Sequence, residues 1–249
     1  MDLGKDFRKY ALSEGISGMN MHYFEKNLHN SLENSLTPYI LEERALNVSV
    51  MDVFSRLMRD RMLWVTGVVN ENMCDIVQAQ LMYLDSVEKK DIKMQLNTQG
   101  GSVLHGLGIV DVMDYIGSDV ETVNTGLCAS MGSILLSSGA KGKRGALNFS
   151  RVMIHQVSSG ASGHVADNRI SHSESEKYNY ILFKILAQNS GKDFQEVLDT
   201  ARRDNWLNSK EALDFGFIDE VFINETKATS ITTLMEGYDE YYDKEVRQR

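Results

Sequence analysis

The pattern of apolar and polar positions predicts alternating strands and helices from about residue 50 onward. Between Ile92 and Asn97 the two kinds of side chain alternate strictly, which is typical of a strand with one face outside the core. Residues 71–87 instead carry apolar side chains at helical spacing over a broad face. Further strands are predicted at 63–69, 120–125 and 151–156, and further helices at 102–115, 130–138 and 194–203. Three successive strand–helix units indicate the α/β class, with a parallel sheet and right-handed crossovers.

A long helix is predicted at residues 164–189, where Gly191 ends it. Its first half is polar on most faces. Its apolar positions lie in the second half, at Tyr178, Ile181, Leu182, Ile185 and Leu186. A helix with a polar first half is not buried within its own domain, so we expect it to project and to pack on a partner chain. The turn-rich segment 157–163 precedes it, and a helix end and a strand at 213–223 close the domain.

The two ends of the chain differ from this regular region. Residues 1–50 are mixed and polar, which predicts an extension that is ordered only in part or, alternatively, a helical cap on the main domain. From Glu236 the tail is charged and is predicted to be disordered. We therefore divide the chain into an N-terminal extension (1–46), a main domain (47–225) and a C-terminal tail (226–249).

Composition narrows the class of protein. The chain has 249 residues, 42% of them hydrophobic, which is enough for one large domain. A net charge of −9, a pI of about 5.2 and the lack of a basic stripe argue against nucleic-acid binding. There is no apolar run of membrane-spanning length, and Cys74 and Cys128 form neither a disulfide framework nor a metal-ligand cluster. With no signal-peptide pattern at the start, a cytoplasmic protein is the simplest interpretation.

One serine stands among small residues at a predicted strand-to-helix junction. Ser130 lies within Gly-Leu-Cys-Ala-Ser-Met-Gly-Ser at 126–133. Its hydroxyl is expected at a helix N-terminus, where free N–H groups and the helix dipole favour negative charge. That environment suits a nucleophile that generates an oxyanion, although small residues are also typical of tight helix packing.

Such a nucleophile needs a base and a carboxylate that orients the base. His155 ends a predicted strand of the same sheet, at the edge where open α/β sheets place their sites. The alternative is a histidine bonded to backbone at a strand edge. Asp204 ends a predicted helix, where its negative charge is unfavourable because the helix dipole is also negative there. This placement suggests that Asp204 has a tertiary partner. Alternatively, Arg202 and Arg203 neutralise it, or it caps the next turn.

The oxyanion needs hydrogen-bond donors, and two predicted strand–helix loops offer them. Gly101 follows Gly100 in the first loop, and glycines allow backbone conformations that turn N–H groups outward. Met131 follows the serine in the second loop. The N–H groups of Gly101 and Met131 are expected to converge on one oxygen, although a Gly-Gly pair is more often only a turn.

The order of the three residues along the chain points to a family. Ser130, His155 and Asp204 follow one another in an order that α/β-hydrolases, chymotrypsin and subtilisin do not share. With its surrounding segments, the chain resembles ClpP, the proteolytic subunit of the Clp protease. The resemblance runs continuously over about 47–223, and its most specific segments are 51–57, 78–81, 100–103, 126–132, 139–156, 203–207 and 211–212.

The resemblance implies a fold, an activity and an assembly. The fold is the crotonase-like β-α superhelix with a protruding handle helix, formed here by about 157–190. The activity is that of a serine endopeptidase, with Ser130 as nucleophile, His155 as general base and then acid, and Asp204 as orienting carboxylate. The amides of Gly101 and Met131 form the oxyanion hole. The resemblance also implies two stacked seven-subunit rings, polypeptide substrates delivered by an AAA+ ATPase such as ClpX, and no metal or organic cofactor.

The chain departs from the family pattern at two places. Gln99 stands where the family usually has proline, which loosens the oxyanion loop and predicts reduced or more switchable activity. The family's ATPase-docking pockets are apolar, but the matching positions here are partly polar: Lys93, Gln95, Val123, Thr125, Gly145, Leu147 and Phe222. An apolar ATPase loop would lose about 1.5–3 kcal/mol for each large anchor that is not buried. We therefore expect a different ATPase, action without one, or rings shared with a second ClpP.

Two other functions stay open on the sequence alone. The first is a catalytically weak or regulatory ring subunit, which Gln99 and the polar docking positions favour and the intact triad disfavours. The second is a crotonase-like acyl-CoA enzyme, which a serine triad also disfavours. The extension is either a propeptide that is removed or a segment that persists as a plug or cap.

Overall fold

The structure is a computed structural model that describes residues 39–44, 47–160, 163–224 and 226–242. Most of the predicted extension and the last seven residues of the tail therefore lie outside the described residues. The chain divides into two compact units, one up to Asp60 and one from Arg61. Each unit is built on a sheet of its own.

The first unit contains an antiparallel pair of strands and a short helix. Strand β1 (Tyr39–Arg44) pairs with β2 (Asn47–Asp52), and α1 (Val53–Arg59) follows at once. The Asp52 carboxylate caps this helix by accepting a hydrogen bond from the N–H of Phe54 at 2.9 Å. These strands were not predicted. Residues 39–44 carry one apolar run followed by one charged run, and residues 47–52 alternate over too few positions.

The second unit is built on a seven-stranded sheet. Its strands are β3 (Met62–Val69), β4 (Ile92–Gly101), β5 (Val120–Ala129), β6 (Arg144–Leu147), β7 (Arg151–Ile154), β8 (Asn205–Asn208) and β9 (Glu220–Phe222). Strands β3, β4, β5, β6 and β9 lie side by side in parallel. Strand β7 also pairs in parallel with the second half of β5, and β8 is antiparallel to β7. The parallel sheet confirms the predicted α/β class.

Helices connect these strands and cover the sheet. They are α2 (Glu71–Val87), α3 (Val103–Tyr115), α4 (Met131–Ser137), α5 (Val165–Ser190), α6 (Phe194–Thr200), α7 (Ser209–Phe215), α8 (Ile231–Leu234) and α9 (Tyr238–Tyr241). All seven residues of α4 are buried, and this helix packs on β4, β5 and α5. Its start is therefore held between the sheet and the long helix. None of the described helices is long and apolar enough to cross a bilayer.

Helix α5 confirms the predicted long helix. It ends at Gly191, whose φ of +72° is the left-handed conformation that glycine adopts readily. Its buried residues are confined to the second half, at Leu182, Phe183, Leu186 and Ala187. No residue in the first half of the helix is buried within the described part of the chain, as its polar character predicts.

The start of the tail is more ordered than predicted. Asn148 holds it with both ends of its side-chain amide, since Nδ2 donates to the Thr229 carbonyl at 2.9 Å and Oδ1 accepts from the Ile231 N–H at 2.8 Å. Helices α8 and α9 follow. The prediction of disorder from Glu236 is thus wrong for Tyr238–Tyr241. Composition did not reveal this, because the anchoring side chain lies about eighty positions away in the sequence.

Candidate active site

Ser130 lies at the junction of β5 and α4 in a backbone conformation that is rare outside glycine. Its φ is +55° and its ψ is −122°. Only Arg61 among the other described non-glycine residues has a positive φ. The Ser130 N–H donates to the Met153 carbonyl at 2.8 Å, and the Ser130 carbonyl accepts from the N–H and the hydroxyl of Ser133. The strained turn is therefore held on both sides, and it presents the serine at the N-terminus of α4.

Gly100 approaches this serine so closely that no side chain fits between them. A Cβ on Gly100 would lie 2.6 Å from the Ala129 carbonyl oxygen, 2.7 Å from Cβ of Ser130 and 2.9 Å from the nitrogen of Met131. Gly100 also has a φ of +88°, and Gly101 has one of +150°. The glycine pair therefore lets the end of β4 run directly beside the start of α4.

The two predicted oxyanion donors each follow one of the residues in close contact: Gly101 follows Gly100, and Met131 follows Ser130. Met131 is the first residue of α4, so its N–H has no acceptor within the helix. Gly101 lines the same cleft as Ser130. The neighbouring Gly100 N–H is already used, because it donates to Oγ1 of Thr98 at 3.0 Å. The oxyanion roles of Gly101 and Met131 stay a prediction, with both residues adjacent to the serine.

His155 and Asp204 come from two adjacent strand ends. Strand β7 ends at Ile154, two residues earlier than predicted, and β8 begins at Asn205, its antiparallel partner. His155 therefore follows one strand, and Asp204 precedes the other. Nδ1 of His155 lies 3.1 Å from Oδ1 of Asp204. This contact gives Asp204 the tertiary partner expected of it and leaves Nε2 of the imidazole for the serine.

The serine and the histidine share a cleft without being hydrogen bonded to each other. Among the described residues, no hydrogen bond joins Oγ of Ser130 to His155. The Asp204 side chain is 64% exposed, whereas that of His155 is 22% exposed. Hydrogen bonds between catalytic groups are often long in free enzymes and tighten when substrate binds. The structure thus joins two of the three predicted triad members and places the third beside them.

The cleft next to Ser130 has a volume of about 230 Å³ and an apolar inner wall. Helices α3, α4 and α5 and strand β7 supply this wall, through Val103, Ile134, Ile154, Leu182, Phe183 and Leu186. Asn179 of α5 closes one side, where its Oδ1 accepts a hydrogen bond from the Val157 N–H at 2.9 Å. None of these residues was predicted to belong to a site. Their signal was present only as the apolar stripe of α5, in which Phe183 went unnoticed.

The cysteine beside the serine is not a competing nucleophile. Cys128 is fully buried, and burial raises the pKa of its thiol far above the usual range. Because the thiolate is the reactive form, a thiol held neutral in this way is inert. Of the two residues, only Ser130 lines the cleft.

The positions predicted for partner docking lie on one face of the sheet. Gln95 is opposite Val123, Val123 is opposite Gly145, and Leu147 is opposite Phe222. Lys93 and Thr125 occupy the same face on β4 and β5, two positions along from Gln95 and Val123 respectively. The structure brings these positions together, and their docking role stays a prediction.

This face mixes polar and apolar side chains. The Lys93 ammonium lies 3.6 Å from the Glu121 carboxylate, so it is paired with a neighbouring strand. The Phe222 ring covers Gly145 and occupies the space that a side chain there would need. Trp64 of β3, which the sequence analysis missed, is opposite Gln95 and is 44% exposed. The face therefore offers exposed aromatic surface at its two edges and a mixture of polar and apolar side chains between them.

Comparisons with known proteins identify relatives over most of the chain. The family model for Clp protease matches residues 44–225. The ATP-dependent Clp protease proteolytic subunit of Bacteroides thetaiotaomicron is 48% identical over 222 residues, which is 88% of this chain and 99% of the relative. The subunit of the same description from Porphyromonas gingivalis is 43% identical over 89% of this chain and 99% of its own length. That from Streptococcus agalactiae is 44% identical over 76% of this chain and 98% of its own length.

Proposed function

This chain belongs to the Clp protease family, a family of serine peptidases, and we propose that it is the catalytic subunit of a ring-shaped compartmental protease. Its substrates are unfolded polypeptides or peptides delivered by an AAA+ ATPase. One observation carries the proposal. A serine in a strained turn at a helix N-terminus shares a cleft with a histidine that is hydrogen bonded to an aspartate.

The reaction follows from the positions of these groups. Oγ of Ser130 attacks the carbonyl carbon of the scissile bond while Nε2 of His155 takes its proton. The same imidazolium then protonates the leaving amine, and Asp204 holds the ring in the tautomer that this requires. The N–H groups of Gly101 and Met131 stabilise the negative charge on the carbonyl oxygen. Water, activated by His155, releases the acyl group in the second half of the reaction, which needs no metal or organic cofactor.

The long helix supports the proposed assembly. The first half of α5 is exposed along its length, with Val165 and Ile170 among its exposed apolar side chains. A helix with this character gains by packing on another copy of the chain. We propose that α5 is the handle through which two seven-membered rings stack, in the cytoplasm, with the clefts facing inward. The relatives' description as ATP-dependent supports an ATPase partner for the ring.

A second function is favoured by specific observations. Oγ of Ser130 is not hydrogen bonded to His155. Gln99 stands where the family usually has a proline, and the face predicted for docking is partly polar. These features fit a catalytically weak subunit that co-assembles with a second ClpP. A fluorophosphonate probe separates the two functions, because it reacts only with an activated serine. Labelling at Ser130 in the native assembly supports the catalytic subunit, and an unlabelled assembly of full native mass supports the regulatory one.

Replacing Gln99 with proline is expected to raise kcat for a fluorogenic peptide by about two- to fivefold, through the smaller conformational freedom of the loop. Gln99 is the extra residue where the β3–β4 register shifts, so it has no partner in that ladder. Within strands, proline is found at bulges of this kind. It restricts φ directly before Gly100 and stiffens the turn that carries the oxyanion donors.

The matched control is Gln99→Ala, which removes the same side chain and leaves φ free. We expect this variant to have the activity of the wild type. The prediction is wrong if Gln99→Pro shows no gain or loses activity, or if Gln99→Ala gains as much.

A ring made only of this chain is expected to bind an AAA+ unfoldase with an apolar docking loop about ten- to a hundredfold more weakly than an apolar pocket does. The reason is that Lys93 and Gln95 occupy positions where the loop would need apolar surface. Binding of ClpX to the immobilised ring measures this. A ClpX variant without its docking loop is the control. Tight, loop-dependent capture of ClpX by this ring alone would contradict the prediction.

A further inference from the structure

Strand β5, which ends directly before Ser130, contains a bulge with two extra residues. Strands β4 and β5 pair regularly as far as Leu96 and Asn124, and the next pair is Thr98 with Cys128. Strand β4 advances by two residues between these pairs, whereas β5 advances by four. Two extra residues of β5 are therefore accommodated in a bulge at Thr125–Leu127, close to the end of the strand.

This bulge decides which residue of β5 meets the glycine pair. Before it, partners on the two strands are 28 positions apart in the sequence, and after it they are 30 apart. The first register, if continued, would place Gly100 opposite Cys128. The second places it opposite Ser130, in agreement with the close approach of Gly100 to Cβ of Ser130. A shift of two residues along a parallel strand is about 6.6 Å. A nucleophile displaced by that distance from its oxyanion donors could not react.

Two asparagine side chains hold the extra residues. Oδ1 of Asn124 accepts a hydrogen bond from the Gly126 N–H at 3.0 Å. Oδ1 of Asn97, on the neighbouring strand, accepts one from the Leu127 N–H at 3.1 Å. A bulge interrupts the ladder in which such N–H groups find their partners. The two amide oxygens replace the acceptors that the ladder no longer supplies.

The same bulge brings β5 to the strand that precedes the histidine. Before it, β5 pairs with β6, and from Leu127 onward it pairs with β7. Nδ2 of Asn124 donates to the Arg151 carbonyl at 2.8 Å, so this side chain ties the bulge to the first residue of β7. His155 directly follows β7. The position of the serine relative to the histidine therefore depends on the conformation of this short segment.

We propose that Asn97 and Asn124 are positioning residues for peptide-bond hydrolysis, a role that rests on the proposed catalytic function. Their amide oxygens hold the bulge in the one register that places Ser130 beside both the oxyanion loop and β7. Neither residue lines the cleft beside Ser130. Their loss acts on the alignment of the nucleophile and therefore on kcat, with little effect on KM.

Asn97 provides the sharper test, because its side chain is exposed and its replacement leaves the core intact. Asn97→Ala removes the acceptor, whereas Asn97→Asp keeps an oxygen at the same place. We expect Asn97→Ala to lower kcat for a fluorogenic peptide, and the rate of fluorophosphonate labelling, about tenfold with KM unchanged. Asn97→Asp is expected to recover both to within about threefold of the wild type, since a carboxylate also accepts from an N–H group.

A second variant reaches the same contact from the other side. A Cβ on Gly126 would lie 2.8 Å from Oδ1 of Asn97, so Gly126→Ala pushes the amide away from the Leu127 N–H. This variant is expected to behave like Asn97→Ala. Thr66→Ala is the matched control, since Thr66 is exposed, lies opposite Asn97 on β3 and makes no side-chain hydrogen bond within the described part of the chain. It is expected to leave kcat unchanged.

Each outcome decides one of the two proposals. If the wild type neither hydrolyses peptides nor is labelled at Ser130, the catalytic function fails before any variant is compared. If the wild type is active but Asn97→Ala and Gly126→Ala retain its kcat, the positioning role is wrong. The positioning role is also wrong if Asn97→Asp is as impaired as Asn97→Ala, because the acceptor oxygen would then not be the group that matters.

Discussion

Replacing Ser130 with alanine is expected to lower kcat for peptide hydrolysis by about 10⁴- to 10⁶-fold, which is the largest effect that we expect from any single change in this chain. The reason is that the alanine variant retains the cleft and the N–H groups of the oxyanion loop but has no atom that can form the acyl intermediate. The remaining rate comes from transition-state stabilisation by those donors alone. Acylation and deacylation both pass through Oγ, so the variant loses both steps.

The control for this variant is Ser138→Ala, at the opposite end of the same helix. It removes the hydroxyl of the residue that directly follows α4, which accepts a hydrogen bond from Nδ2 of Asn189 at 3.2 Å and does not line the cleft, and it is expected to retain full activity. Both variants should assemble to the native mass, and only Ser130→Ala should fail to react with a fluorophosphonate. Hydrolysis by Ser130→Ala at more than about one hundredth of the wild-type rate would show that another group is the nucleophile.

Replacing Arg144 with methionine is expected to lower the free energy of unfolding by about 2 kcal/mol, because it leaves the partly buried Asp219 carboxylate without its guanidinium partner and two backbone carbonyls without their donor. The Arg144 side chain is 4% exposed. Its guanidinium donates two hydrogen bonds to the Asp219 carboxylate, at 2.6 and 2.8 Å, and others to the carbonyls of Ser137 and Asn189. It thus ties β6 to the ends of α4 and α5 and to the segment before β9. Loss of these bonds also weakens the helix that carries Ser130 at its start.

Unfolding by urea measures this effect, at equal protein concentration because assembly itself contributes to stability. Lys143→Met is the matched control, since it removes a neighbouring positive charge whose carboxylate partners, Asp91 and Asp119, are exposed. Exposed ion pairs contribute little, so a much smaller loss is expected. Equal losses in the two variants would contradict the role assigned to Arg144.

The pH dependence of this difference is a second measurement of the same pair. Hydrogen bonds from the Arg144 guanidinium hold the pKa of Asp219 below its usual range. A carboxyl group whose pKa is lowered by folding contributes stability above its unfolded pKa, near 3.9, and loses that contribution as the pH falls through the folded value. The stability difference between wild type and Arg144→Met is therefore expected to be constant near neutral pH and to shrink below about pH 4.

Much of the fold was predictable because its signals are local. Helix α2, strand β4 and the long helix α5 each carry a clear period of apolar side chains, and each is where the pattern predicts it. The short strands β6 and β8 were missed because four residues contain too few alternations to be recognised. The ends of strands were also misjudged. Strands β4 and β5 run four residues further than predicted, through the glycine pair and up to the serine.

The candidate site was predictable only in part. Ser130, His155 and Asp204 were identified from their surroundings and their order, and the structure brings the last two into contact. Phe183 and Asn179 were not identified, because nothing in α5 distinguishes the side chains that face the cleft from those that face the sheet. The anchoring of the tail by Asn148 was equally invisible, since it depends on which distant segment passes that side chain.

By itself, the sequence determined the class of fold, the long exposed helix, the members of the candidate triad and the family. These properties depend on short-range periodicity and on the identity of side chains, and both can be read along the chain. Only the tertiary structure decided that Ser130, and not Cys128, lies opposite Gly100. The physical reason is that side chains alternate along a strand with a period of two, so a shift of two residues leaves the same faces on the same sides. Registers of 28 and 30 positions are therefore equivalent in the sequence pattern, and the bulge held by Asn97 and Asn124 selects between them.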